Sequence, residues 1–122
     1  MITEKVDLDG RPFTLDRPEA LPRDGVVFVL NLHGAGSLGP WQREYFPVHD
    51  HVDEYGLVVA TPTARTKVPF RRWVAEADDE YLQAVVAERP LPVPGAGPVV
   101  LARRALAGRH DVEPAAADRL VG

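Results

Sequence analysis

Apolar and polar positions change period several times along the chain, and each change marks an element. Thr3–Leu8 and Arg11–Leu15 flank Asp9-Gly10, a dipeptide that accepts the positive φ of a tight turn, so residues 3–15 are expected to form a β-hairpin. Asp24-Gly25 then turns the chain into Val26–Leu32. This nearly unbroken apolar run, V-V-F-V-L-N-L, fits a strand buried on both faces of a mostly parallel sheet. Pro40 stands where a helix would start, since its missing N–H costs nothing there. The stretch after it, W-Q-R-E-Y-F-P-V-H-D-H-V-D-E-Y-G, reads as helical, bent at Pro47 and stopped by Gly56. Leu57–Thr61 is a second apolar strand closed by Pro62, and a basic loop, Arg65–Arg72, leads to Trp73. Glu76–Arg89 is the clearest helix: Glu76, Asp78, Asp79 and Glu80 crowd its positive end, while Tyr81, Leu82, Val85 and Val86 form its apolar stripe. The order β-hairpin, β, α, β, α belongs to the α/β class and opens an α/β sheet without completing it. With no further strand, the apolar edge of that sheet would stay unpaired.

Residues 90–122 differ in kind. They hold no Phe, Trp, Tyr, Lys or Ser and are rich in Ala, Pro, Arg and Gly, with no hydrophobic period. The chain therefore divides into an ordered 1–89 and an irregular 90–122. The tail is either a disordered, linker-like segment or a stretch translated in the wrong frame.

Composition narrows the function. At 122 residues there is room for one domain with a real core. A net charge of −4 argues against nucleic acid and anionic membrane surfaces as partners. Without cysteine there is no disulfide framework, no thiolate nucleophile and no cysteine-bound zinc. The N-terminus M-I-T-E-K-V-D-L-D-G has no apolar signal core, and no apolar run is long enough to span a bilayer, so a cytoplasmic location is expected.

The strand at 26–32 runs into His33-Gly34-Ala35-Gly36-Ser37. A strand followed by an H-G-x-G turn can present backbone N–H groups to an oxyanion, because glycines let a substrate carbonyl approach without a Cβ in the way. Four blocks carry a wider likeness: N-L-H-G-A-G-S (31–37), W-Q-R-E-Y-F-P (41–47), L-V-V-A-T-P (57–62) and R-R-W-V-A-E-A-D-D-E-Y-L-Q (71–83). Over residues 1–88 the chain resembles bacterial α/β-hydrolases of the polyhydroxybutyrate depolymerase and feruloyl esterase type. The resemblance implies an oxyanion hole at His33, Gly34, Ala35 and Gly36, with Ala35 and Gly36 as donors, a small-molecule ester as substrate, and no cofactor. Trp73 is either a pocket wall or core, and His33 is expected to fix the turn rather than to move protons. A complete catalytic domain of this kind needs roughly twice the present length.

In such proteins the last helix is followed by a strand and a G-H-S-Q-G-G nucleophile elbow, and the triad acid and histidine come later, beyond Gly122. Ser37 is the only serine, so no elbow exists as the chain is read. One base of frame shift changes this. Residues 101–111, L-A-R-R-A-L-A-G-R-H-D, then allow W-L-A-G-H-S-Q-G-G-M, and V-E-P-A-A-A-D-R allows S-N-R-L-L-R-T. The expected protein is a truncated serine ester hydrolase, frameshifted after about residue 89 and inactive as it stands.

Other features have plainer explanations. Gly34-Ala35-Gly36-Ser37-Leu38-Gly39 matches the dinucleotide fingerprint, but Thr61-Pro62 stands where an acidic residue should bind ribose. A small non-catalytic module binding an anion or nucleotide on this loop is the alternative of a different class. Ser37 is expected to cap the following helix. His49, Asp50, His51 and Asp53 could be drawn as a metal cluster, but solvated surface explains them better, and no metal site is expected. Asp78 and Asp79 are expected to cap a helix and complement its dipole.

Overall fold

Asp9 and Gly10 both adopt positive φ, 52° and 77°, the type I′ geometry whose twist suits a hairpin. They join β1 (Ile2–Leu8) to an antiparallel β2 (Arg11–Arg17) with Leu8 opposite Arg11, and the Asp7 carboxylate accepts the Gly10 N–H at 2.9 Å. The computed structural model describes residues 1–22, 26–88, 99–104 and 110–114. The expected Asp24-Gly25 turn, the helix end at Arg89, and residues 90–98, 105–109 and 115–122 of the tail lie outside them.

The apolar runs form β3 (Val27–Leu32) and β4 (Leu57–Thr61), paired in parallel, while β2 closes antiparallel on the other side of β4. Three helices follow the expected pattern: α1 (Gly39–Tyr45), α2 (Val52–Tyr55) and α3 (Ala75–Ala87). Pro47 does more than bend a helix. It ends α1 and opens a separate 3-10 turn, Val48–His51, before α2, which Gly56 stops at φ 65°.

The tail departs from its expected irregularity at two places. Val99–Arg104 forms β5, parallel to β3, and His110–Pro114 forms β6, antiparallel to β5. The sheet is mixed, in the order β1-β2-β4-β3-β5-β6, and the α/β class holds. V-V-L-A is too short to show a period, but it pairs with the edge of β3 that the first 89 residues would leave open, and Leu101 and Ala102 are buried there. That edge is therefore covered.

Burial on both faces of β3 follows from its apolar run. Phe28, Leu30 and Leu32 pack with Val58, Ala60, Leu101 and the α3 residues Leu82 and Val85. Val29 faces the other way, toward Val59, Ala102 and Val52 of α2. Polar groups lock α1 to the sheet: Gln42 Nε2 donates to Asn31 Oδ1 at 2.9 Å, and Asn31 Nδ2 donates to the Phe46 carbonyl at 3.1 Å. Arg43 makes two 2.9 Å hydrogen bonds to the fully buried Asp16 carboxylate, which also accepts from the Thr3 hydroxyl at 2.6 Å. Gly39 lets α1 approach β4, because a Cβ there would lie 2.7 Å from the Thr61 carbonyl oxygen and 2.9 Å from that of Pro62. Among the described residues no helix is long and apolar enough to cross a membrane.

Candidate functional site

At the C-terminal end of β3 the chain makes a type II turn over Gly34–Ser37. Gly36 supplies the required positive φ, 78°, and the Ser37 N–H donates to the Gly34 carbonyl at 3.1 Å. The turn is held from outside by the segment after β4. The Gly36 N–H donates to the Arg71 carbonyl at 2.7 Å, so it is not open to a substrate. Of the turn's N–H groups, those of Gly34 and Ala35 have no partner among the described residues, and Ala35 is the exposed one. Of the donor pair implied by the resemblance, Ala35 and Gly36, the Gly36 N–H is already bonded within the fold.

His33 is buried, and its two ring nitrogens are both engaged. Nε2 accepts the Ala64 N–H at 3.0 Å, so the ring hydrogen sits on Nδ1 and is donated to the Gly34 carbonyl at 2.8 Å. Desolvation holds its pKa below the ordinary 6.5, and the Arg71 charge adds to this; the Gly34 hydrogen bond and the Asp78 charge oppose it. A neutral, doubly bonded imidazole fixes the turn, as its sequence position suggested.

The sign of its contribution to stability follows. The unfolded state takes up a proton on this ring near pH 6.5 and the folded state only lower, so stability falls as pH drops from 7 through 6.5 toward the folded pKa. Thermal unfolding between pH 7.5 and 5 is expected to show this slope, and His33→Gln should flatten it. An unchanged slope in the variant would assign it to other groups.

Trp73 is half-buried and belongs to the same assembly. Its indole N–H donates to the His33 carbonyl at 2.9 Å, and its ring stacks on the imidazole with centroids 4.9 Å apart. It also packs against the core, so it braces the turn and is not simply a pocket wall. Arg71 Nη1 donates to the Ala64 carbonyl at 2.7 Å, and Arg72 folds back onto the Val68 and Phe70 carbonyls of its own loop. A cleft of about 600 Å³ lies elsewhere, between the Asp9-Gly10 turn and α3, with Arg11, Arg65, Glu80 and Tyr81 on its walls. Burial pushes the Tyr81 phenol up to about 12.

Three expectations are corrected or sharpened. Ser37 does not cap α1: Leu38 is the N-cap, and the Thr63 hydroxyl accepts the Gly39 N–H at 2.9 Å from across the sheet edge. The Ser37 hydroxyl is buried without a partner among the described residues. Among the proposed surface residues, His49 is buried, while Asp53 meets the Met1 amino group at 3.1 Å; no metal-binding group occurs among the described residues. Asp78 does serve the start of α3, accepting the Val74 N–H at 2.8 Å, but it is fully buried and paired with Arg11 at 2.8 Å. That pair joins residues far apart in the chain and leaves no local trace in the sequence.

Comparison with known protein families, characterised proteins and solved structures returns no match.

Proposed function

We propose that the chain carries the oxyanion-turn half of a serine ester hydrolase similar to polyhydroxybutyrate depolymerases and feruloyl esterases. The observation that carries this reading is the turn at the C-terminal end of β3, where Ala35 is exposed and its N–H has no partner among the described residues. The coding sequence gives further support: in the shifted frame, the codons of residues 104–109 allow G-H-S-Q-G, after the last helix as the resemblance requires. In such an enzyme the serine attacks an ester carbonyl, a histidine takes its proton, and the Ala35 N–H binds the oxyanion that forms.

As translated, the chain has no activated nucleophile. Ser37 is its only serine, and its hydroxyl has no histidine partner among the described residues. Residues 1–122 are expected to hydrolyse p-nitrophenyl butyrate at the buffer rate. A one-base change near the Arg89-Pro90 codons is expected to open a frame with G-H-S-Q-G. That protein should turn the ester over, and replacing the new serine by alanine should abolish turnover. Stop codons in both alternative frames would end this reading, as would turnover by the unaltered chain that disappears in Ser37→Ala.

An anion- or nucleotide-binding module draws support from the close packing of Gly39, which the third glycine of a dinucleotide fingerprint requires. The Gly36 and Ser37 N–H groups are, however, spent on Arg71 and Gly34, and β4 ends in Thr61 with no acidic residue to bind ribose. Calorimetric titration with NAD or phosphate is expected to give no binding heat.

A further inference from the structure

We infer that Asp78 is a positioning residue for the 33–37 turn: one buried carboxylate ties both ends of the segment from Arg65 to Val74, and that segment sets the turn. Calling the turn an oxyanion hole rests on the proposed function above; the mechanical role of Asp78 does not.

Asp78 Oδ1 accepts the Arg65 N–H at 3.2 Å, and Oδ2 accepts the Val74 N–H at 2.8 Å. Each clamped residue is bonded to a neighbour that grips His33. Ala64, before Arg65, donates its N–H to the ring, and Trp73, before Val74, stacks on the ring and bonds the His33 carbonyl. Between the clamps, the Arg71 carbonyl takes the Gly36 N–H, and a bridge from Thr66 to Arg72 closes the segment on itself. Among the described residues, the outside contacts of the turn therefore come from one strap, and Asp78 holds both its ends.

A carboxylate suits that anchor for a reason of hydrogen-bond count. Two N–H groups fixed in place need two acceptor atoms, and the Arg11 guanidinium, 2.8 Å away, keeps the buried charge paired. Arg11 is itself held by the Ala77 and Thr63 carbonyls, so the anchor is rigid. Asparagine offers one acceptor and would turn an NH2 toward the second N–H. Glutamate would need room for another methylene in a site with no exposure.

Amide hydrogen exchange of the full chain in low denaturant tests the inference. In the wild type, the amides of Gly36, Ala64, Arg65 and Val74 and the Trp73 indole are expected to open as one unit, more readily than the β3–β4 ladder. Asp78→Asn should speed Gly36 and Trp73 indole exchange about tenfold or more, with the ladder amides rising by no larger factor. Glu76→Gln, which removes an exposed charge from the first turn of α3, should leave Gly36 unchanged. Two results would overturn the inference: Gly36 exchange unaltered in Asp78→Asn, or a wild-type Gly36 that opens independently of Arg65 and Val74. The last needs no variant, so it decides the matter even if Asp78→Asn fails to fold. Since no ester is involved, a frame-restored protein without activity would remove the hydrolase reading and leave this one standing.

Discussion

Proline in place of Ala35 is expected to leave the fold standing while deleting the exposed open donor of the 33–37 turn. Ala35 occupies the second position of a type II turn, where the fixed φ of proline fits, and its N–H bonds to nothing among the described residues. Thermal unfolding of Ala35→Pro should match the wild type or rise slightly, by the equivalent of about 0.4–1 kcal/mol from a less free unfolded chain. Its effect on chemistry should be large. In the frame-restored protein, loss of one oxyanion donor is expected to lower kcat by about 10²–10³ with little change in KM, because that donor meets charge only in the transition state. An Ala35→Pro enzyme with full kcat would place the donors elsewhere.

Removing Asp16 should damage stability severely. Its carboxylate has no exposure and takes both hydrogen bonds from Arg43, whose side chain is 23% exposed. These bonds hold the Arg43 guanidinium pKa above its ordinary value. Asp16→Ala strands the mostly buried guanidinium, at a cost of about 3–5 kcal/mol. Against a domain stability of about 5–15 kcal/mol, that is a large share. Chemical denaturation should show it as a lower midpoint. Arg43→Met should be comparably harmful, since it leaves a buried carboxylate unpaired. The double variant should cost clearly less than the two single changes added together. Additive losses would mean that the pair is not coupled and that each residue contributes through other contacts.

Local features were readable from sequence and remote ones were not. Asp9-Gly10 marked the hairpin loop, the apolar runs marked β3 and β4, Gly56 marked a helix end and Pro47 an interruption, because each acts through its own backbone. β5 escaped notice because V-V-L-A has no period of its own; the open edge of β3 makes it a strand. The turn shows the same division. The Gly-rich turn after β3 was legible, but the Arg71 carbonyl that consumes the Gly36 N–H comes from a loop with no regular pattern. The pairs Arg11–Asp78 and Asp16–Arg43 join residues whose spacing carries no signal, and the Gly39 N–H goes to Thr63 in the segment after β4 rather than to Ser37.

β3 pairs with β4 from Leu57 onward in the chain, but with β5 only once Val99 and the residues after it have been made. On a growing chain, the most apolar strand of the sheet therefore has a bare edge throughout the synthesis of β4, α3 and the segment after it. During that interval its unpaired N–H and C=O groups can recruit the same strand from a neighbouring nascent chain. Yield of soluble protein should accordingly depend on expression rate and temperature more than on the stability of the finished sheet.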